Sequence, residues 1–184
     1  MYFVWIFPFT LILLFRVMTN LKFRDAKQID LPKIVEIYNS TVGSRMVTAD
    51  TEPVSVSSRQ KWFDEHYPNK RPLWVVENLE AEMLGWASFQ SFYGRPAYDC
   101  TVELSIYLDE TQRGKGLGKE ILKYSMEQSK SFGVKTLLAF IFSHNEPSLK
   151  LFRHFGFEDW GILPNIAVLD GVERGLTILG KRIA

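Results

Sequence analysis

Residues 112–118 read Gln-Arg-Gly-Lys-Gly-Leu-Gly and sit between two segments of different period. The preceding run, 101–108 (TVELSIYL), is rich in β-branched residues and alternates in character. The following run, 115–132, has apolar residues at helical spacing. A chain like this must turn from strand to helix through a glycine-rich bend. Such a bend leaves backbone N–H groups unpaired at a helix N-terminus, where the helix dipole favours negative charge. It is therefore a candidate cradle for an anion, most often a phosphate. The plain alternative is an ordinary glycine-rich connection, and the glycines alone do not separate the two.

The spacing narrows the chemistry. A P-loop needs Gly-Lys followed by Ser or Thr, and here Gly114-Lys115 is followed by Gly116. A dinucleotide fingerprint needs a different glycine spacing and an acidic residue placed for a ribose. What remains is Arg-x-x-Gly-x-Gly from Arg113 to Gly118. Gly114, Gly116 and Gly118 would let backbone approach a pyrophosphate, and Arg113, Lys115 and Lys119 add positive charge.

On the strand before the bend, period-two alternation puts Val102, Leu104, Ile106 and Leu108 on one face. Thr101, Glu103, Ser105 and Tyr107 fall on the other, a polar stripe that faces either a cavity or water. A carboxylate a few residues before a phosphate bend suits proton abstraction, so Glu103 is the candidate base. Asn145 and Ser148 open the helix after the next strand, with Asn145 as N-cap and Pro147 in the first turn. If the neighbouring strands part, Asn145 borders the gap and can also meet a ligand's amide.

The rest of the chain reads as alternating strands and helices. Strands are expected at 21–24, 73–77, 83–92, 101–108, 136–142, 157–167 and 173–182. Helices are expected at 31–41, capped by Asp30, at 57–66, capped by Ser57 or Ser58, at 115–132 and at 146–155. Asp170-Gly171 marks the last turn. This mixture gives an α/β or α+β class with a mixed sheet.

Residues 2–15 are nearly all apolar and interrupted by Pro8, too short to span a bilayer and without a signal-peptide pattern. We read 1–17 as an extension before a start at Met18, against a weak membrane anchor or a helix over an apolar patch, and 18–184 as one domain. A net charge of +1 favours neither nucleic acid nor an anionic membrane as partner. The single cysteine, Cys100, permits no intrachain disulfide and fits a reducing, cytoplasmic setting. The three histidines have no metal-ligand spacing, and no metal site is expected.

Together, Arg113-Gly-Lys-Gly-Leu-Gly118, Asn145-x-x-Ser148 and Leu151-Phe-Arg-His-Phe-Gly-Phe157 resemble the GNAT superfamily of N-acetyltransferases. Asp50-Thr-Glu-Pro53, Gly85-Trp-Ala-Ser88, Arg95-Pro-Ala-Tyr98 and Thr101-Val-Glu-Leu-Ser-Ile-Tyr107 resemble its phosphinothricin and methionine sulfoximine acetyltransferase family. The resemblance implies a mostly antiparallel, seven-stranded mixed sheet with splayed central strands flanked by helices. It implies acetyl-CoA as co-substrate, held by Ile106, Tyr107 and Leu108, by Arg113, Gly114, Lys115, Gly116, Leu117, Gly118 and Lys119, and by Asn145 and Ser148. It implies a small amine substrate, an amino acid or its analogue, near Tyr93, Gly94, Arg95, Glu103, Leu104 and Ser105, with Arg95 suited to a carboxylate. It also makes a homodimer the expected assembly. The chain departs from the family at Phe152, where relatives carry tyrosine or histidine, and at Tyr93, where some carry arginine. A different amine, such as a polyamine or peptide N-terminus, and a non-catalytic acyl-CoA-binding module are the competing readings.

Overall fold

The computed structural model describes residues 21–183. The reading of residues 1–17 and of a start at Met18 lies outside the described residues. Seven strands form one sheet in the order β1-β2-β3-β4-β5-β7-β6. They are β1 (Lys22–Asp25), β2 (Leu73–Glu77), β3 (Met83–Ser91), β4 (Thr101–Leu108), β5 (Thr136–Phe142), β6 (Glu158–Leu169) and β7 (Val172–Arg182). Every pairing is antiparallel except β4 with β5. That exception follows from connectivity. The segment between β4 and β5 contains α3 (Leu117–Ser129), and a helical crossover returns the chain in the same direction.

Two apolar layers hold the sheet. On one face α1 (Leu31–Val42) buries Ile34 and Ile37 against Leu73, Val75 and Trp86. On the other, Ile121 and Leu122 of α3 and Leu149 and Phe152 of α4 (Glu146–His154) pack on Val76, Phe89, Val102, Leu104 and Leu137. Each strand thus sends alternate residues into alternate layers. Gly85 of β3 is required by the close approach of β4, since a Cβ there would stand 2.5 Å from the Tyr107 carbonyl oxygen.

Two expected caps are built differently. Asp30 precedes α1, but its carboxylate does not cap that helix. It accepts from Arg24 at 2.7 and 2.8 Å and from the Lys27 N–H at 2.7 Å, and Arg24 also donates to Glu77. This ties β1, the turn before α1 and β2 together, and the Arg24 guanidinium holds the Asp30 carboxyl below the usual range. The expected helix at 57–66 is a 3₁₀ turn, Ser57–Arg59, followed by a short α2, Gln60–Asp64. Its start is secured by Ser55, whose hydroxyl oxygen accepts from the Ser58 N–H, not by Ser57 or Ser58.

Candidate active site

The site begins where β4 and β5 stop pairing. Their ladder runs through Thr101 with Thr136, Val102 with Leu137 and Glu103 with Leu138, and then ends. β5 continues beside β7 as far as Phe142, and β4 continues beside β3 as far as Leu108. From Leu104 onward, one edge of β4 therefore has no strand partner, and a wedge opens between Ile106 and Ile141. The wedge widens into a cleft of about 440 Å³ that runs to the glycine bend. Met46, Val47, Leu151 and Phe152 give it apolar walls, and Arg113, Gly114, Gly116, Gly118 and Lys119 form its far end.

The bend has the geometry of an anion cradle. Gly114 has φ 75° and Gly116 φ 84°, and a Cβ built at either would meet nothing within 4 Å. Gly116 is the N-cap of α3, so the first N–H groups of the helix have no intrahelical acceptor. Gly116, Gly118 and Lys119 line the cleft, so the positive end of the helix dipole lies at its far end, with the Lys119 N–H turned back to the Gly116 carbonyl at 3.0 Å. Length, apolar walls and a terminal cradle fit a long thiol carrier with a diphosphate, and the free β4 edge at Ile106, Tyr107 and Leu108 can accept an extended arm as an added strand.

The sequence-predicted contacts divide into those the cleft uses and those it does not. Leu117 is buried, so only its backbone reaches the bend. The Lys115 ammonium donates to Gln112 Oε1 at 3.0 Å and does not line the cleft. Asn145 and Ser148 border it, but the Asn145 Oδ1 caps Ser148 at 3.2 Å and its Nδ2 donates to the Met46 carbonyl at 2.9 Å. Asn145 therefore builds the wall by joining α4 to the loop after α1. Phe152 lines both the wedge and the cleft with its ring edge-on to Phe157, and it carries no exchangeable proton.

A second cavity, about 210 Å³, opens on the opposite face of β4. Glu103, Ser105 and Tyr107 form its floor, so the polar stripe faces a cavity and not bulk water. Tyr38, Trp62 and Trp86 supply aromatic walls, with Trp86 stacked on Tyr107 at 4.3 Å. Burial raises the Glu103 pKa above its ordinary value. The Ser105 hydroxyl, 3.5 Å away, opposes this from the outer limit of a hydrogen bond. The Tyr107 hydroxyl is also pushed up, first by burial. Ser105 and Tyr107 line both this cavity and the wedge, so the two spaces meet across β4.

The expected substrate loop lies elsewhere. Tyr93 is exposed at a left-handed φ of 52°, and Gly94 and Arg95 line a separate depression with Lys70, Arg71 and Asp99. That depression shares no lining residue with the Glu103 cavity. Leu104 turns its side chain into the core. Arg59, Trp62 and Tyr38, which do line the Glu103 cavity, were missed by sequence reasoning. The only available signal was that Arg59 and Trp62 are three apart on a helical segment and share a face.

Comparison with known proteins agrees with this geometry. Residues 34–157 match the Acetyltransferase (GNAT) family. A protein of Bacillus subtilis named as a phosphinothricin acetyltransferase, YwnH, is 50% identical over 161 residues, covering 88% of this chain and 98% of its own. An L-methionine sulfoximine/L-methionine sulfone acetyltransferase of Pseudomonas aeruginosa is 36% identical over 156 residues, 85% of this chain and 91% of its own. The crystal structure of a phosphinothricin acetyltransferase from Sinorhizobium meliloti in complex with acetyl-CoA superposes with a TM-score of 0.83 at 30% identity, covering 90% of this chain and 89% of that one. A split central sheet, a glycine cradle at the end of the split and these likenesses lead to one assignment: the chain belongs to the GNAT family of acetyl-CoA-dependent N-acetyltransferases.

Proposed function

We propose that the protein acetylates the α-amino group of a small amino acid or amino-acid analogue of the methionine sulfoximine or phosphinothricin type. The observation that carries this reading is the meeting of two cavities at Ser105 and Tyr107, one shaped for a long carrier and one holding a half-buried carboxylate. The relatives' named substrates supply the amino-acid class.

Acetyl-CoA brings an activated acetyl thioester, and this chain's residues do the remaining work. The Arg113–Lys119 bend offers N–H groups and cationic side chains to the diphosphate. The unpaired edge of β4 offers backbone N–H groups where negative charge develops on the acyl oxygen. Glu103, whose pKa is raised by burial, receives a proton from the incoming ammonium, directly or through water. General-base help of this kind contributes about 10²–10⁴-fold. Phe152 has no proton to return, so the departing sulfur is protonated from solvent. Sulfur is a good enough leaving group for that.

The reading includes a homodimer in the cytoplasm. β6 is one of the two edge strands, and its exposed Trp160, Ile162, Ile166 and Val168 give it an apolar surface suited to a second copy. No helix among the described residues is long and apolar enough to cross a membrane. Light scattering of the purified protein tests the dimer, with a monomer at micromolar concentration counting against it.

The function is tested by acetyl-CoA-dependent thiol release over a panel of methionine sulfoximine, phosphinothricin, ordinary and aromatic amino acids, polyamines and peptides. Turnover is expected with the amino-acid members. A clear preference for amines without a carboxylate overturns the substrate class, and binding of acetyl-CoA without turnover of any amine overturns the enzyme.

A further inference from the structure

We propose that Arg45 is a positioning residue for acetyl-CoA: it straps the loop after α1 across the open end of the split sheet and, through Met46 and Val47, fixes the width of the space that takes the carrier's arm. This rests on the acetyl-CoA cleft described above and is independent of which amine is acetylated.

Beyond Glu103 and Leu138 no ladder joins β4 to β5 among the described residues, so other contacts must set the distance between the two halves of the sheet. Residues 43–56 run from the end of α1 to the 3₁₀ turn at Ser57 and are tied to both halves. Their later part is moored on the β4 side. The Tyr38 hydroxyl donates to Asp50 Oδ2 at 2.5 Å and also bonds Thr48, and the Tyr38 ring lies 5.2 Å from that of Tyr107 on β4. Asn39 of α1 donates to the Val54 carbonyl and accepts from the Val54 N–H, both at 2.9 Å.

Their earlier part is moored on the β5 side. Arg45 Nε and Nη2 donate to the two carboxylate oxygens of Asp170, at 2.8 and 2.9 Å, in the turn between β6 and β7. The Arg45 carbonyl accepts from His144 Nε2 at 2.8 Å, and the Met46 carbonyl accepts from Asn145 Nδ2 at 2.9 Å. Both partners stand just past the end of β5. Arg45 Nη1 donates to the carbonyls of Val42 and Thr51, at 3.2 and 2.7 Å, which closes the loop on itself. Arg45 has a φ of 56°, the left-handed region that favours glycine. Four side-chain hydrogen bonds hold an arginine in that conformation, so the turn depends on its guanidinium and not on local propensity.

Met46 and Val47 follow directly, and both line the wedge and the cleft. An arm laid along the free edge of β4 has this strap as one wall. The glycine bend forms the far end of the cleft, so the strap acts on the arm and not on the diphosphate.

The test measures, by calorimetry on the intact protein, the binding of acetyl-CoA and of adenosine 3′-phosphate 5′-diphosphate, the carrier's head group without the arm. Arg45→Met is expected to weaken acetyl-CoA about 5- to 20-fold, the effect of losing a charged fork and its carbonyl bonds. The head group should change less than about twofold, because it never meets the strap. Arg45→Gly accepts the left-handed turn without the side chain; it should show the same loss for acetyl-CoA, and it is the informative variant if the methionine form does not fold. Asp170→Asn, at a φ of 51° that asparagine tolerates, should weaken acetyl-CoA about 2- to 5-fold. The double variant of Arg45→Met with Asp170→Asn should be no weaker than Arg45→Met alone. Equal losses for acetyl-CoA and its head group, unchanged acetyl-CoA affinity in Arg45→Gly, or additive losses in the double variant overturn the strap. Failure of the amino-acid reading leaves these measurements untouched. An unmutated chain that does not bind acetyl-CoA fails the co-substrate reading before any variant is made, and the strap falls with it.

Discussion

β4 behaves differently along its length. Val102 and Glu103 are paired with strands on both sides, and Leu104 to Leu108 are paired on one side only. Alternation of side chains is the same in both halves, and both keep an apolar face in the core. The difference lies in a single free backbone edge. The paired half holds the fold together, and the unpaired half gives up a ladder of hydrogen bonds and leaves room for a ligand. Glu103 is the last rung of the paired half, so its backbone belongs to the ladder while its side chain belongs to the site.

The sharpest test of that boundary is Glu103→Gln. We expect kcat/KM to fall by about 10²–10⁴-fold while acetyl-CoA affinity is retained. The unfolding temperature should rise. A half-buried carboxylate whose pKa is raised binds its proton more tightly in the folded state, so stability is lost as pH rises through its folded-state pKa, and the neutral amide escapes that loss. A stability loss in this variant, by thermal unfolding, would make Glu103 a structural residue.

Next in size is the paired half itself. Leu137, opposite Val102, is fully buried, and Leu137→Ala should cost about 2–5 kcal/mol in denaturant unfolding. KM for acetyl-CoA should stay near its original value, because the lost contacts lie behind the ladder. A large KM change with little loss of stability would erase the division between the halves.

Gly116→Val addresses the far end of the open half. Its φ of 84° is forbidding for a β-branched residue, at about 1–3 kcal/mol of strain. Acetyl-CoA affinity, by calorimetry, should therefore drop about tenfold or more as the bend reshapes. Unchanged affinity would mean that the bend does not carry the diphosphate.

The pH profile should follow Glu103. Because its pKa is raised and the carboxylate is the working form, the acidic limb of kcat/KM should lie above the ordinary glutamate value and vanish in Glu103→Gln. The smallest effect is expected for Lys115→Ala, less than about threefold in acetyl-CoA affinity, since that ammonium is directed to Gln112. Lys119→Ala, in the cleft wall, should weaken binding more and reduce its salt sensitivity.

Much of the fold was legible because strong local patterns agreed with their surroundings. The runs 101–108 and 136–142 became strands with those bounds, and Asp170-Gly171 became the final turn. β1 lies one residue later than expected, a normal uncertainty for a short edge strand. The helix expected at 57–66 was harder. Its first three residues form a 3₁₀ turn, a difference set by the loop clamps at Ser55 and Asn39 rather than by propensity. Asp30 illustrates the same limit. A cap-forming residue stood in the cap position, and a more strongly charged partner from β1 took its carboxylate.

The sequence by itself determined the strand-to-helix glycine bend, the two-faced character of β4 and, through the motifs it shares with a known family, the acetyl-transfer chemistry. These are local properties: backbone freedom at Gly114 and Gly116, period-two alternation, a carboxylate a short distance from an anion site. Only the tertiary structure decided which cation faces Glu103. Arg95 stands in a family motif and Arg59 in none, but a cavity wall is made by residues distant in the chain. Packing of α2 over β3 and β4 brought Arg59 in, and the loop after β3 carried Arg95 out to solvent.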